Sequence, residues 1–329
     1  MSQKSPRSLT ARLLTAALAA TLSAAAGAAN WPDAPVTVVV PYPPAGAADL
    51  AGRIIAKALQ VGMPQANIIV ENRPGAAGNL GMSHVARSKP DGYTLGASTI
   101  GAQTINQFLY KNMSFDPGKD LTPIAMILTT PNVLAVSAKS PWKNLQDVIA
   151  AARTSRHPLT YASPGVGSSV HLTGAYFEAV TGLHLQHVPF KGTSASLPAV
   201  ASGQVDLLFD NLPGSISQIK DGRLVRGIAV TSAQRDPAAP DLPTFAETVP
   251  GFDVTAWFAL YAPAGTPKPI VDKLVEAARK GLQNPEVLDT LKTMAAQPGT
   301  LFGADLGSFE AKERARWGKL IHDQNITVE

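Results

Sequence analysis

The sequence predicts an α/β protein made of two doubly wound lobes. Three observations predict it. Short β-branched runs alternate with helix-compatible stretches, the alternation restarts near residue 132, and 329 residues of 45% hydrophobic composition suffice for two ordinary cores. Strands that alternate with helices pair in parallel through right-handed crossovers, which argues against a sandwich.

Val36 to Val40 is a continuous β-branched run. The breaker string Pro41 to Gly46 follows it, and then a helical pattern runs from Asp49 to Leu59. Ile68 to Val70 reads as a second buried strand, ended by Glu71-Asn72-Arg73-Pro74-Gly75, with helical spacing from Leu80 to Ala86. Asp91-Gly92 turns the chain into a third strand, Tyr93 to Ala97, with Gln103 to Leu109 helical behind it. Val133 to Val136 reads as a strand leading out of this lobe, and Leu145 to Arg153 as the first helix of the next. Leu159 to Ala162, Leu185 to Phe190, Val205 to Phe209 and Val225 to Val230 are the second lobe's strands. Ala256 to Tyr261 reads as a strand returning to the first lobe. Helices are expected at Pro267 to Gly281 and Asp305 to Ile321. The expected division is 29–131 with 255–300 for the first lobe and 132–254 with 301–329 for the second.

The first 28 residues read as a secretory signal: Lys4, Arg7 and Arg12, an apolar run from Leu13 to Leu22, and small residues ending at Ala28. That run is too short to span a bilayer. With no cysteine there is neither a lipidation site nor a disulfide, so a protein soluble in a periplasm is expected, with no membrane anchor. Three of the 28 Lys and Arg lie in the signal, leaving 25 against 24 Asp and Glu. A nearly neutral chain without a basic cluster argues against nucleic acid as a partner.

In open α/β sheets, ligands collect beyond the carboxyl ends of strands, where helix N-termini present unpaired N–H groups. Three loops meet that description. The first, Tyr42-Pro43-Pro44-Ala45-Gly46-Ala47-Ala48-Asp49, is stiff and small enough for backbone N–H groups to approach an anion. It reads equally as a tight turn with Asp49 capping the next helix. The second, Ser163-Pro164-Gly165-Val166-Gly167-Ser168-Ser169, offers two glycines for a concave run of donors and three hydroxyls. Gly167 is expected to give its N–H to a ligand carboxylate. The third is Lys191-Gly192-Thr193-Ser194, in which Lys191 faces either a carboxylate or solvent. Ser98-Thr99 and Asp210-Asn211, each after a strand, complete the candidates, although each also suits an ordinary turn.

Catalytic and cofactor readings find little support. There is no Gly-x-Ser-x-Gly elbow, no cysteine nucleophile and no His-Glu-x-x-His pair, and the second loop lacks the glycines of a dinucleotide fingerprint and the Gly-Lys-Ser/Thr of a P-loop. His184 and His187, three apart on a strand, point to opposite faces, which disfavours a shared metal. No catalytic residue, metal or cofactor is therefore expected.

Several motifs stand in one order along the chain: Val36-Thr37-Val38-Val39-Val40-Pro41-Tyr42-Pro43-Pro44, Val70-Glu71-Asn72-Arg73-Pro74-Gly75, Lys89-Pro90-Asp91-Gly92-Tyr93-Thr94-Leu95, His187-Val188-Pro189-Phe190-Lys191-Gly192, Pro243-Thr244-Phe245-Ala246-Glu247 and Ala262-Pro263-Ala264-Gly265-Thr266-Pro267. In these the chain resembles the Bug-type solute-binding receptors of tripartite tricarboxylate transporters. The resemblance implies a periplasmic binding protein of flytrap architecture that closes on a small carboxylate and delivers it, as a monomer, to membrane transporter subunits. It further implies that Tyr42, Pro43, Pro44, Ala45, Gly46 and Asp49 in one lobe, and Ser163, Gly165, Gly167, Ser168 and Ser169 in the other, hold the carboxylate through backbone N–H groups and waters. The first loop departs from the family's paired glycines in carrying Ala45. Two alternatives share the same pocket: a ligand sensor for a membrane kinase and an enzyme acting on a carboxylated substrate.

Overall fold

The computed structural model describes residues 31–323, 326 and 327, and the expected signal lies outside the described residues. In chain order the elements are β1 (Val36–Val40), α1 (Ala47–Gly62), β2 (Ile68–Asn72), α2 (Asn79–Ala86), β3 (Thr94–Thr99), a π-helical turn (Gly101–Ile105) running into α3 (Asn106–Leu109), and β4 (Leu121–Ser137). The second half of the alternation comprises α4 (Leu145–Thr154), β5 (Leu159–Ser163), α5 (Ser169–Thr181), β6 (Leu185–Pro189), α6 (Thr193–Ala201), β7 (Leu207–Asn211), α7 (Leu212–Asp221) and β8 (Val225–Val230). The chain ends with β9 (Thr255–Pro263), α8 (Lys268–Leu282), α9 (Pro285–Thr293), β10 (Gln297–Pro298) and α10 (Gly303–Asp323).

The main strand order is β2-β1-β3-β9-β4-β7-β5-β6. β1 pairs in parallel with β2 and β3, and β5 in parallel with β6 and β7, as the alternation predicts. Between these parallel groups run β4 and β9, antiparallel to their neighbours and to each other. β4 is continuous through both groups: Leu121–Pro131 pairs with β9, and Asn132–Ser137 with β7 and β8. Its first part was not expected from the sequence, where Pro123 and Pro131 interrupt the run. Proline survives in a strand where the ladder is interrupted, and here Pro123 borders a bulge while Pro131 ends the pairing with β9.

Two large cores flank the sheet. One packs β1, β3 and β9 against α1 and α8, with Val38, Leu59, Leu95, Phe258 and Leu274 fully or almost fully buried. The other holds an aromatic cluster below β5 and β7 in which Phe245 stacks on Phe252 at 4.7 Å and meets Phe177 edge-on at 5.3 Å. α10 lies along the crossing strands. Its Glu313 accepts from Trp257 Nε1 and Trp317 Nε1, both at 3.2 Å, and its Glu310 accepts from Tyr261 OH at 2.5 Å. Burial pushes the Glu310 carboxyl up to about 7.

α1 and α8 meet at reciprocal glycines, where a Cβ on Gly281 would lie 2.0 Å from the Ala58 carbonyl oxygen and one on Gly62 would lie 2.4 Å from Ala277. Helix propensity favours alanine over glycine by about 1 kcal/mol, but overpacking against backbone costs about 1–3 kcal/mol. Gly281→Ala should therefore lower the melting temperature by a few degrees, at roughly 2–4 °C per kcal/mol for a domain of ~150–250 residues. A variant melting above the parent in calorimetry would refute this contact as the limit on helix approach.

Candidate ligand-binding cleft

Four helices begin at one place. Each follows a strand of one parallel group, so each N-terminus emerges at the carboxyl edge of its sheet, and the two edges face one another. The cavity between them is lined by Gly46, Ala47 and Ala48 at the start of α1, Ser168 and Ser169 at α5, Gly192 and Thr193 at α6, and Asn211 at α7. First-turn N–H groups have no partner within their own helix, and the helix dipoles add a partial positive charge there. The caps of α1, α6 and α7 bring no side-chain hydrogen bond, which leaves those donors to the cavity. Tyr42, Pro43, Pro44, Thr99, Pro164 and Phe258 complete the wall, which carries no Lys, Arg, His, Asp or Glu. Such a site accepts an anion through backbone donors alone.

The first loop is braced from behind. Asp49, buried, accepts from Ala45 N at 3.1 Å, Arg53 Nε at 2.9 Å and Asn72 Nδ2 at 2.9 Å, and Asn72 also donates to Tyr42 O at 3.0 Å. Burial opposes its charge, but the hydrogen bonds from Arg53, Asn72 and Ala45 outweigh it and hold the carboxyl below its ordinary range. Asp49 therefore fixes the loop and does not line the cavity. Ala45 sits at the exposed tip with φ 69°, the left-handed conformation that paired glycines would adopt without strain. Its methyl has not prevented that geometry.

The second loop spends most of its donors on itself. Gly165 N donates to Ser163 Oγ at 3.2 Å, Ser168 Oγ to Gly165 O at 2.7 Å, and His171 N to Ser168 Oγ at 3.1 Å. Gly167 N donates to His171 Nδ1 at 3.2 Å, so the expected bond from Gly167 to a ligand is not available. His171 stacks on His187 at 4.1 Å, and Ser163 Oγ lies 2.7 Å from His187 Nε2. Burial pushes His171 down to about 4; burial and then the neighbouring His171 push His187 down to about 3, so both imidazoles are neutral at pH 7. Neutral His171 can accept at Nδ1, which is what the Gly167 bond requires. Val166 and Gly167 instead meet the first lobe: Tyr110 OH donates to Val166 O at 3.0 Å, and a Cβ on Gly167 would lie 2.3 Å from Asn106 Oδ1.

Below Thr193 lies Asp210, 1% exposed, which accepts from Thr193 Oγ1 at 2.9 Å, Asn211 N at 2.9 Å and Ser215 Oγ at 2.8 Å. Burial drives its carboxyl up to about 6 against those bonds. Asp210 thus holds Thr193 in place from outside the cavity wall. Of the sequence candidates, Tyr42, Pro43, Pro44, Gly46, Thr99, Ser168, Ser169, Gly192 and Thr193 come together in this cavity; Gly165 and Lys191 line an adjoining one. Ala45, Asp49, Ser98, Ser163, Gly167 and Asp210 line neither. Ser98 is buried and accepts from Gln103 Nε2 at 2.9 Å. The sequence reading had Ala47 and Ala48 in the first loop but did not name them among the ligand residues, because it started the helix at Asp49. It gave no signal for Phe258, which arrives from the crossing strand β9.

Residues 52–326 match the family described as the tripartite tricarboxylate transporter family receptor. The chain is 30% identical over 313 residues to the protein BugT of Bordetella pertussis, covering 94% of each chain. Among solved structures it is similar to R. palustris Rpa4515 with adipate, at 35% identity and TM-score 0.87 over 91% of this chain and 100% of that one. It is also similar to MatC from Rhodopseudomonas palustris with bound malate, at 31% identity and TM-score 0.82 over 88% of this chain and 100% of that one.

Two outcomes follow from the geometry. The Asp210 carboxyl is protonated in both folded and unfolded chains below about pH 4, and above about pH 6 the folded chain must bury its charge. Stability therefore falls as pH rises through that window, by about 3 kcal/mol for a difference of roughly two pKa units. Asp210→Asn should remove that slope, so the wild-type minus variant difference in melting temperature should change between pH 4 and 6; a constant difference would refute the buried charge. Gly167→Val places a branched side chain at φ 81° against the buried Asn106. It should weaken ligand binding at least tenfold by holding the lobes apart. Calorimetric affinity within threefold of the parent would show that this contact does not govern closure.

Proposed function

The chain belongs to the tripartite tricarboxylate transporter receptor family, and on that premise we propose that it is a periplasmic solute receptor that traps a small carboxylate between two lobes and delivers it to membrane transporter subunits. The observation that carries this reading is the convergence of four helix N-termini on a cavity whose wall has no ionisable acid. An ionised carboxylate satisfies those donors and is favoured by four dipoles. Adipate with Rpa4515 and malate with MatC support a carboxylate as the bound group. A binding role without catalysis fits the same wall, whose lining carries no Lys, Arg, His, Asp or Glu. No helix among the described residues is long and apolar enough to cross a membrane.

On this reading the lobes part where the ladder of β4 changes partner, at Pro131 and Asn132, and at the start of β9. The second lobe is 132–254. The last helix, expected from sequence with the second lobe, is bonded to Trp257 and Tyr261 of β9 and, through Arg314 NH1 at 3.4 Å, to Gln103 O, which favours its moving with the first. Ligand contacts to both lobes favour the shut state, so closure sets the affinity. The receptor acts as a monomer.

Incubation with a library of metabolites tests the reading. A carboxylate should raise the melting temperature, be recovered unchanged, and lower the radius of gyration in solution scattering. Turnover of the bound molecule would replace the receptor with an enzyme, and an unchanged radius at saturation would refute closure.

A further inference from the structure

The second lobe carries a group of cations that the cleft does not use. β5 and β6 run in parallel, so the loops that lead into them, 155–158 and 182–184, meet at the amino edge of the sheet, opposite to the cleft. An open basin of about 330 Å³ lies there, with Arg153, Ser155, Arg156, His157 and His184 in its lining and no Asp or Glu. All four basic side chains are exposed. Glu178 lies 3.8 Å from His184 Nδ1, but it accepts from Leu185 N at 2.7 Å and is not part of the lining.

Arg153 and Arg156 stand apart from the other arginines. Among the described residues they alone of that type have neither an ion pair, a hydrogen bond nor a ring contact, and His157 beside them has none either. Every other described arginine pairs with a carboxylate, donates to a backbone carbonyl or, in Arg279, lies over the Phe302 ring. The negative end of α4 accounts for Arg153, which is in its last turn. It does not account for Arg156, His157 or His184, which stand on the two loops. Like charges gathered without a counter-ion repel one another, and an arriving anion relieves that repulsion. A guanidinium is a planar fork of donors, and an imidazole adds a further N–H. One fork satisfies a planar carboxylate, whereas a tetrahedral phosphate has oxygens for two forks and an imidazole at once. We propose that this basin is a second anion site, one that takes a phosphate group, either as free phosphate or as the headgroup of an anionic lipid. It is independent of the carboxylate reading of the cleft.

The test is calorimetric titration of the intact protein with inorganic phosphate at pH 7 and constant ionic strength, beside sedimentation with phosphatidylglycerol or phosphatidylcholine vesicles. Phosphate should bind with a Kd of about 1 mM, as suits an exposed site. Arg153→Gln and Arg156→Gln should each weaken it about fivefold, the loss expected of one exposed charge-assisted contact, and the double variant should bind at least twentyfold more weakly. Arg156→Lys should recover less than half of the loss, since it restores the charge but not the fork. Lys220→Gln, an equal loss of charge outside the basin, should stay within twofold of the parent, and melting without phosphate should be unchanged in every variant. Phosphate also has the cleft as a place to bind, but these substitutions leave the cleft intact, so only the arginine-dependent part of the binding counts. Arginine-dependent binding of inorganic phosphate supports a free phosphate; arginine-dependent binding to phosphatidylglycerol vesicles alone supports a lipid headgroup. A loss shared by Lys220→Gln, or no arginine-dependent binding in either arm, overturns the site.

Discussion

The direction of the strands is the constraint on which the rest depends. In a parallel group every strand ends on the same edge, so each following helix starts there with its unpaired N–H groups facing outward. β1 in one lobe and β5, β6 and β7 in the other deliver α1, α5, α6 and α7 to one gap. Antiparallel strands in the same positions would have alternated the edges and dispersed the donors. Charge recognition is thus a consequence of topology before any side chain is chosen, and this is why the wall can be assembled without a charged side chain.

The same gap is tied to the crossing strands by buried polar side chains. Asn211, at the start of α7, donates through Nδ2 to Asn132 Oδ1 at 2.5 Å, and Asn132 donates in turn to Thr173 Oγ1 at 2.6 Å. The Asn132 backbone N–H donates to Thr231 Oγ1 at 2.8 Å, and that hydroxyl donates to Val254 O at 2.6 Å. Asn132 is where β4 changes partner, and Val254 immediately precedes β9. Asn132, Thr173 and Thr231 are completely buried, so each unmet bond would carry its full desolvation cost. The network therefore ties the cavity floor to both crossings.

What was legible in the sequence divides along the range of the interactions. The elements that alternate, and the loops that follow β1, β5 and β6, came from local pattern: β-branched runs, glycine and proline breakers, and hydroxyls at helix starts. The first half of β4 was hidden because its two prolines are tolerated only through bulges and a partner change, which no local pattern reveals. α9 was missed although Asn284 caps it and Pro285 stands at its first turn, since only Val287 and Leu291 mark its buried face. Within the cleft, proximity in sequence proved a poor guide to which loop residue faces the ligand. Gly167 and Asp49 sit in the right loops, but their bonds point into the scaffold, and Phe258 reaches the cavity from a crossing strand more than two hundred residues after the first loop.

The scaffold bonds also explain how a wall of small residues keeps its shape. A helix N-terminus binds an anion well only if its loop does not relax to satisfy its own donors. Here Asp49 and its three donors hold the first loop, and the neutral His171, stacked on His187, holds the second through Gly167. A protonated His171 would lose its acceptor at Nδ1 and place a charge among the very dipoles that should receive the ligand. Burial, by keeping both imidazoles neutral, preserves the loop as an arrangement of donors awaiting an anion. Ala45, Ala76 and Ala77 hold the left-handed backbone at these loops with nothing larger than a methyl. The cleft is therefore specific less through what its side chains reach for than through what they hold back.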